Sequence, residues 1–185
     1  MQLRQRRLVA PVLACVVVLA AIVVASPTTR GQIHRIARAT GIETVPLPVH
    51  VNEPLRAMTL QHVDGTSVTL GPDQRGTYVY NVFTTWCASC REEMPALAQA
   101  ARRLQQRGIN VIGIDQGENP ATVGMFAREH ALSYPIVFDY DRATNAVLGA
   151  NLIPMTVVVR DGVVRAMWSG PLGSAELERL VKDAS

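Results

Sequence analysis

The chain has 185 residues, of which 48% are hydrophobic and 18% charged, a composition that excludes a disordered or collagen-like protein. A prior of about 150 residues per domain favours a single folded domain. The formal net charge of +3 is matched by three arginines near the N-terminus, Arg4, Arg6 and Arg7, so it does not indicate a nucleic-acid surface. We therefore expect no nucleic-acid partner.

The N-terminal segment predicts a membrane anchor. Residues 8–25 form a run without a charged residue, and residues 1–7 before it form a basic tail. As a helix the run would be roughly 27 Å long, close to the hydrocarbon thickness of a bilayer. We expect a signal-anchor helix in the cell membrane, with the tail in the cytoplasm and the rest outside. The small residues before Ser26 also form an acceptable signal-peptidase site. The alternative is therefore that the segment is cleaved near Ala25 and the protein is secreted. Cys15, inside the run, is interpreted as an ordinary membrane-buried thiol.

The chain between the anchor and the first periodic segment is interpreted as a tether. Residues 26–55 show no strong period and contain several prolines. We place the folded domain at residues 56–185.

Periodicity predicts strands and helices that alternate through the domain. The first two strands flank Asp64–Gly65, a signal for a two-residue hairpin turn, and Ser174 is a candidate N-cap. The order of the elements predicts an α/β sandwich with a mixed sheet. In chain order the elements are strands 58–60, 67–70 and 77–83, helix 91–107, strand 110–115, helix 121–130, strand 136–138, helix 143–148, strands 156–160 and 163–168, and helix 174–182.

Two cysteines, Cys87 and Cys90, follow a predicted strand and open a predicted helix. In this setting the Cys-x-x-Cys spacing predicts a redox pair. Free N–H groups and the helix dipole favour a thiolate at the first position, so Cys87 is the predicted nucleophile. Cys90, one turn later, is the predicted resolving thiol. A structural zinc site and an inert structural disulfide are the alternatives, although zinc needs about four ligands.

The segment Trp86–Pro95 reads Trp-Cys-Ala-Ser-Cys-Arg-Glu-Glu-Met-Pro. It resembles the W-C-x-x-C-R-x-E-x-P signature of thioredoxin-like proteins of the TlpA/ResA/CcmG type, and the similarity covers residues 57–184. The resemblance implies a thioredoxin-like sandwich with helices on both faces of a mixed central sheet. It also implies a redox-active disulfide between Cys87 and Cys90.

The same resemblance implies roles for residues around the pair. Ile153 and Pro154 precede a strand at the place of a cis-proline that faces the cysteines, and the Ile153 backbone would offer hydrogen bonds to an extended substrate. Trp86 would shield the pair, with core packing as the alternative. Pro95 would be the structural proline that kinks the active-site helix.

Two polar positions depart from cytoplasmic thioredoxins. Asn81 stands where those proteins have a buried aspartate. The TlpA/ResA group also has asparagine at this position. Glu118 matches a glutamate that ResA-like members place beneath the pair, and we expect it to accept the proton of Cys90, with a solvated acid on the loop as the alternative. Asp115, at a strand end, is the reserve candidate.

The resemblance implies an extracytoplasmic oxidoreductase that reduces disulfides in a few cysteine-containing proteins, such as apocytochrome c or copper-site assembly proteins. A transmembrane thiol carrier would supply the electrons. We expect a monomer with no cofactor and no metal, held on the lipid bilayer by residues 8–25.

Three other functions stay open. A disulfide oxidase or isomerase of secreted proteins would use the same pair in another direction. A thiol peroxidase fits Thr84, three residues before Cys87, but Tyr80 stands at the position of that family's proline. A Sco-like copper chaperone would use a distant histidine such as His130, but its cysteines are one residue further apart.

Overall fold

Eight strands and four helices follow one another in residues 49–184, the part of the chain that the structure, a computed structural model, describes. From β2 onward, each element lies within three residues of its predicted ends. In chain order the elements are β1 (Val49–Pro54), β2 (Met58–Gln61), β3 (Ser67–Leu70), β4 (Thr77–Phe83), α1 (Ala88–Gln106), β5 (Asn110–Asp115), α2 (Pro120–Glu129), β6 (Ile136–Phe138), α3 (Ala143–Leu148), β7 (Met155–Arg160), β8 (Val163–Ser169) and α4 (Ser174–Asp183).

The strands form one mixed sheet in the order β1-β8-β7-β4-β5-β6-β2-β3. β4, β5 and β6 are parallel, and the other neighbouring pairs are antiparallel. Parallel neighbours need a crossover of about a dozen residues or more, which α1 and α2 supply. β4 therefore lies inside the sheet, between β5 and β7, and its C-terminal end leads into the cysteine motif.

Side chains of β4 alternate between the two faces of the sheet and so contribute to two apolar cores. Val79 and Phe83 pack in the core that α1, α2 and α4 share. Tyr80 and Val82 pack in the core formed with α3 and the β2–β3 hairpin. The predicted sandwich, with a mixed central sheet and helices on both faces, is confirmed.

The hairpin of β2 and β3 is present, but its turn is longer than predicted. The Asp64–Gly65 pair predicts a two-residue turn, whereas the His62 N–H donates to the Thr66 carbonyl at 2.8 Å and closes a three-residue loop. Gly65 has a φ of +81°, which suits the left-handed position of such a loop. The Thr66 N–H also donates to the Asp64 carboxylate at 2.9 Å, which stabilises the longer turn.

The turn between β7 and β8 has two central residues, Asp161 and Gly162, with φ values of +49° and +73°. Positive φ at both positions is the requirement of a type I′ hairpin turn. A Cβ atom at Gly162 would lie 1.9 Å from the carbonyl oxygen of Pro72. The close approach of this turn to the loop after β3 therefore requires glycine.

The structure corrects the boundary between the tether and the folded domain. The last part of the predicted tether, residues 26–55, is strand β1, which pairs antiparallel with β8 at the edge of the sheet, and Leu55 after it is buried. Asn52 has a φ of +59°, and the register of the pairing shifts around it. An edge strand with such a bulge lacks a regular alternation of buried and exposed side chains. For this reason its sequence shows no two-residue hydrophobic period.

The start of α4 also differs from its prediction. Gly173 is the N-cap residue, and no side chain caps the helix. Ser174 lies inside the helix, and its hydroxyl accepts a hydrogen bond from the guanidinium of Arg103 in α1. The same guanidinium pairs with Glu178 at 2.7 Å. Ser174 therefore helps to join α1 to α4 instead of capping α4.

The predicted basic tail and membrane segment, residues 1–7 and 8–25, lie outside the described residues, as does the tether up to residue 48. Within residues 49–184, no helix is both long enough and apolar enough to cross a membrane. The anchor stays a prediction of the sequence.

Candidate active site

The two cysteines of the motif lie at the junction of β4 and α1, and their sulfur atoms are bonded at 2.20 Å. Cys87 is the N-cap residue of α1, and its Sγ atom accepts the Cys90 N–H at 3.2 Å. That sulfur atom therefore lies at the N-terminal end of the helix, where N–H groups without a helical partner and the positive end of the helix dipole favour a negative charge. On reduction, these groups would stabilise Cys87 as the thiolate.

The two sulfur-bearing residues differ in exposure. Cys87 is 7% exposed, whereas Cys90 is completely buried. A thiol or disulfide from another molecule can therefore reach Cys87 only, and Cys90 can react only with the Cys87 sulfur. This difference favours the roles predicted from the order of the two residues in the helix.

An apolar rim stands beside Cys87. Trp86 is 71% exposed, so it is not part of the core, and Leu152 is 72% exposed. The carbonyl oxygen of Ile153 lies 3.9 Å from the Cys87 Sγ atom. The peptide bond between Ile153 and Pro154 is cis, the geometry that the family resemblance implies. Leu152 directly precedes the Ile153–Pro154 pair in the chain.

A buried polar cluster lies under α1. The Asn81 amide, in β4, donates to one carboxyl oxygen of Glu93 at 2.8 Å, and the Leu172 N–H donates to the other at 2.9 Å. Glu93 follows Cys90 by one helical turn and is 3% exposed. Burial raises the pKa of the Glu93 carboxyl to about 7, although both hydrogen bonds act to lower it.

Sequence reasoning assigned Glu93 no role, although a signal was present. α1 buries a stripe of residues at helical spacing, including Cys90 and Leu97. Glu93 is three residues after the first and four before the second, so it falls on that stripe. An acidic residue on a buried stripe requires polar partners, and Asn81 is one of them.

Glu118, the predicted proton acceptor, lies in the loop between β5 and α2. Its carboxyl accepts the Thr85 N–H at 2.5 Å and lies 2.7 Å from the Thr85 hydroxyl. Within the described residues, it has no hydrogen bond to either cysteine. Asp115, the reserve candidate, is completely buried, and its Oδ1 atom accepts the Glu118 N–H at 2.6 Å. Burial, and then Glu118, raise the pKa of Asp115 to about 7.

Pro95 lies inside α1 and cannot donate a hydrogen bond to the carbonyl of Arg91.

Across residues 49–184, no group of three or more histidine, cysteine, aspartate or glutamate residues could hold a metal ion. His130, the distant histidine of the copper-chaperone alternative, packs on the ring of Phe126 with the ring centroids 4.4 Å apart.

Comparison with known proteins places this site in a family. The model of the AhpC/TSA family matches residues 51–167. The thiol-disulfide oxidoreductase ResA of Bacillus subtilis is 26% identical over 115 residues, which are 61% of this chain and 64% of that protein. The ResA of Geobacillus thermodenitrificans is 30% identical over 110 residues, or 58% of this chain and 63% of that protein. The chain thus matches a little under two thirds of the length of these curated relatives.

A solved structure agrees with the fold. The crystal structure of a thiol:disulfide interchange protein from Chlorobium tepidum, a thioredoxin family protein, superposes with a TM-score of 0.61 and 27% identity. The superposition covers 74% of this chain and 98% of that one. Because the family model spans more than half of the chain and includes the cysteine motif, the chain belongs to the AhpC/TSA family of thioredoxin-like proteins.

Proposed function

We propose that this protein is an extracytoplasmic thiol–disulfide oxidoreductase that reduces disulfides in a few cysteine-containing proteins. The observation that carries this proposal is the unequal exposure of the disulfide, since Cys87 is 7% exposed and Cys90 is completely buried. The names of the ResA relatives and of the Chlorobium tepidum protein support the same activity.

The reaction consumes the reduced pair. The Cys87 thiolate attacks one sulfur of the substrate disulfide, which forms a mixed disulfide and releases the other substrate sulfur as a thiolate. The Cys90 thiolate then attacks the Cys87 sulfur, which releases the second substrate thiolate and leaves the Cys87–Cys90 disulfide. Two electrons have passed to the substrate. A transmembrane thiol carrier would return the pair to the dithiol.

The rim around Cys87 suits an extended substrate segment. The exposed Trp86 directly precedes Cys87 in the chain, the carbonyl oxygen of the half-buried Ile153 lies 3.9 Å from the Cys87 Sγ atom, and Pro154 fixes the chain after Ile153. Backbone hydrogen bonds from Ile153 to the substrate would align its cysteine with Cys87. Because these hydrogen bonds recognise the backbone of the substrate, several proteins with different side chains can bind in the same way.

The site of action and the substrates follow from the resemblance of the motif. We place the redox domain outside the cytoplasm, on an anchor formed by residues 8–25 or released by cleavage near Ala25. Haem-attachment cysteines of apocytochrome c and cysteines of copper-site assembly proteins are the proposed substrates. Their disulfides must be reduced before haem or copper can bind.

Glu118 is our proposal for the group that accepts the proton of Cys90. Glu118→Gln is expected to slow the resolution of the mixed disulfide by roughly 10²-fold, the low end of general-base contributions. Stopped-flow measurement of the step from mixed disulfide to free product tests this expectation. Glu53→Gln, a change of an exposed glutamate on β1, is the matched control. An unchanged rate and unchanged thiol pKa values would show that the role belongs to another group.

The reduction potential of the Cys87–Cys90 pair tests the direction of the reaction. We expect a reduction potential of about −270 mV, in the thioredoxin range. The full chain in detergent would be equilibrated with dithiothreitol buffers at pH 7. A potential of about −120 mV would instead identify an oxidant of secreted proteins and would contradict the proposed reduction of apocytochrome c and copper-site assembly proteins.

A further inference from the structure

Two acidic residues, Asp115 and Glu118, are joined by a hydrogen bond behind the loop that leads into the active site. Asp115 ends β5 and is completely buried, and its Oδ1 atom accepts the N–H of Glu118 at 2.6 Å. The second oxygen, Oδ2, is also buried and has no hydrogen-bond donor among the described residues. If Asp115 were ionised, half of a buried carboxylate would lack a partner, which is costly in an apolar surrounding.

Glu118 connects this buried acid to the nucleophile. Its carboxyl binds both the N–H and the hydroxyl of Thr85, which is two residues before Cys87. The Gln116 N–H donates to the Phe83 carbonyl at 3.2 Å, which continues the pairing of β4 with β5 to the start of this loop. The position of Glu118 therefore sets the path of the backbone between β4 and Cys87.

The other ionisable groups around Asp115 are engaged elsewhere. The Asp139 carboxyl, after β6, accepts the N–H groups of Ala143 and Thr144 at the start of α3. On α1, the Arg91 guanidinium contacts the Thr85 carbonyl and Glu129 of α2, each at 3.4 Å. No cation among the described residues forms an ion pair with Asp115. The side chain that acts on Asp115 electrostatically is Glu118, a like charge when both are ionised.

One proton resolves the conflict. A neutral Asp115 can donate its O–H to the Glu118 carboxylate, so that the pair carries a single negative charge. Glu118 then keeps the charge that binds Thr85 and that can take up a proton. Loss of the shared proton to solvent would leave two carboxylates whose charges repel each other, and the half-buried Glu118 is the one that can move away.

We propose that Asp115 is a positioning residue that shares one proton with Glu118 and thereby holds Thr85 and the Cys87 loop in place, a hold that is released when this proton is lost. This inference rests on the function proposed above, because it concerns the approach to the same nucleophile. It predicts that the reactivity of Cys87, corrected for its thiolate fraction, falls on the alkaline side of neutrality.

Carboxyl and amide NMR on the full oxidised chain in detergent tests the shared proton directly. With aspartate labelled at the carboxyl carbon, we expect the Asp115 resonance, identified by its loss in Asp115→Asn, to titrate near pH 7. The Thr85 amide proton should shift with the same midpoint. In Asp115→Asn the amide side chain keeps donating to Glu118, so the Thr85 shift should stay in its low-pH position up to pH 9. Asp141→Asn, an exposed change, is the control.

Glu118→Gln provides a second variant in case Asp115→Asn does not fold. Its side-chain amide can donate to an ionised Asp115, so the Asp115 midpoint should move to lower pH and the Thr85 shift should lose its inflection near neutrality. An Asp115 resonance that titrates with the exposed aspartates, or a Thr85 inflection that persists in Asp115→Asn, would overturn the proposal.

The thiolate-corrected rate of Cys87 with glutathione disulfide, measured on the reduced chain from pH 6 to pH 9, adds the functional arm. We expect its alkaline fall to be lost in Asp115→Asn and retained in Asp141→Asn. A wild-type chain that reduces no disulfide would refute the proposed function while leaving the NMR result intact. Failure of the NMR result in an active chain would refute only the role of Asp115.

Discussion

Cys87→Ser is expected to abolish disulfide exchange and to leave only the uncatalysed background of the assay. Cys87 is the more exposed of the two cysteines, and its sulfur atom caps α1, where it accepts the Cys90 N–H and where the helix dipole stabilises a thiolate. Serine keeps the size and the N-cap geometry but supplies a hydroxyl of much higher pKa. Reduction of insulin disulfides by the full chain, started from its dithiol form, measures the loss.

Cys90→Ser is the matched control because it should fail at the next step. Cys87 can still attack, but no thiol is present behind it to release the substrate, so a mixed disulfide should accumulate. Mass spectrometry in a Cys15→Ala background, where the motif supplies the remaining cysteines, identifies this adduct at Cys87. An adduct that forms in Cys87→Ser and not in Cys90→Ser would reverse the two roles.

The sequence predicted those elements whose burial is regular. β4 is buried along its last five residues and α1 along one face, so period and composition identify both. β1 shows the limit of this reasoning, because an edge strand is paired on one side and Val49 remains 60% exposed. Its pairing with β8, more than a hundred residues later, has no local signature. The predicted length of the β2–β3 turn was wrong for a similar reason, since Asp64–Gly65 suits two kinds of hairpin.

The residues of the site also differ in how far their contacts can be predicted from the sequence. The disulfide depends on a spacing of three residues at a helix start, which the sequence displays directly. The partners of the acids do not, because Glu93 binds the backbone of Leu172, 79 residues away, and Glu118 binds Thr85, 33 residues away. Such contacts arise from the packing of loops against strand ends. The motif therefore predicts the disulfide pair but not the hydrogen-bond partners of the nearby acids.

Glu93 gives the second large expected effect, a dependence of stability on pH. The residue is buried beside Asn81, and burial raises the pKa of its carboxyl from 4.5 to about 7. The asparagine amide suits both forms of this acid. It donates to the carboxylate with its N–H and, turned over, accepts from the carboxylic acid with its oxygen. Glu93 can therefore keep its place in the fold with or without the proton.

The sign of the effect follows from the two states. The folded chain binds the Glu93 proton more tightly than the unfolded chain, so Glu93 favours folding most strongly below pH 4.5. The free energy of unfolding then falls as the pH rises to about 7 and is level above it, and the total fall from this residue is roughly 3 kcal/mol. Asp115 adds a fall of the same sign, since its pKa is also raised to about 7.

Glu93→Gln should remove the contribution of Glu93 and keep that of Asp115. Urea unfolding of the oxidised chain between pH 5 and pH 8 should show the wild type losing more stability than the variant, by about 2 to 3 kcal/mol across the range. Glu92→Gln, a change of the exposed neighbour on α1, should follow the wild type. A constant difference between wild type and Glu93→Gln at all pH values would mean that Glu93 titrates alike in both states. The amide of Asn81 would then be pairing with a permanent carboxylate, and the buried cluster would fix α1 on β4 without responding to pH.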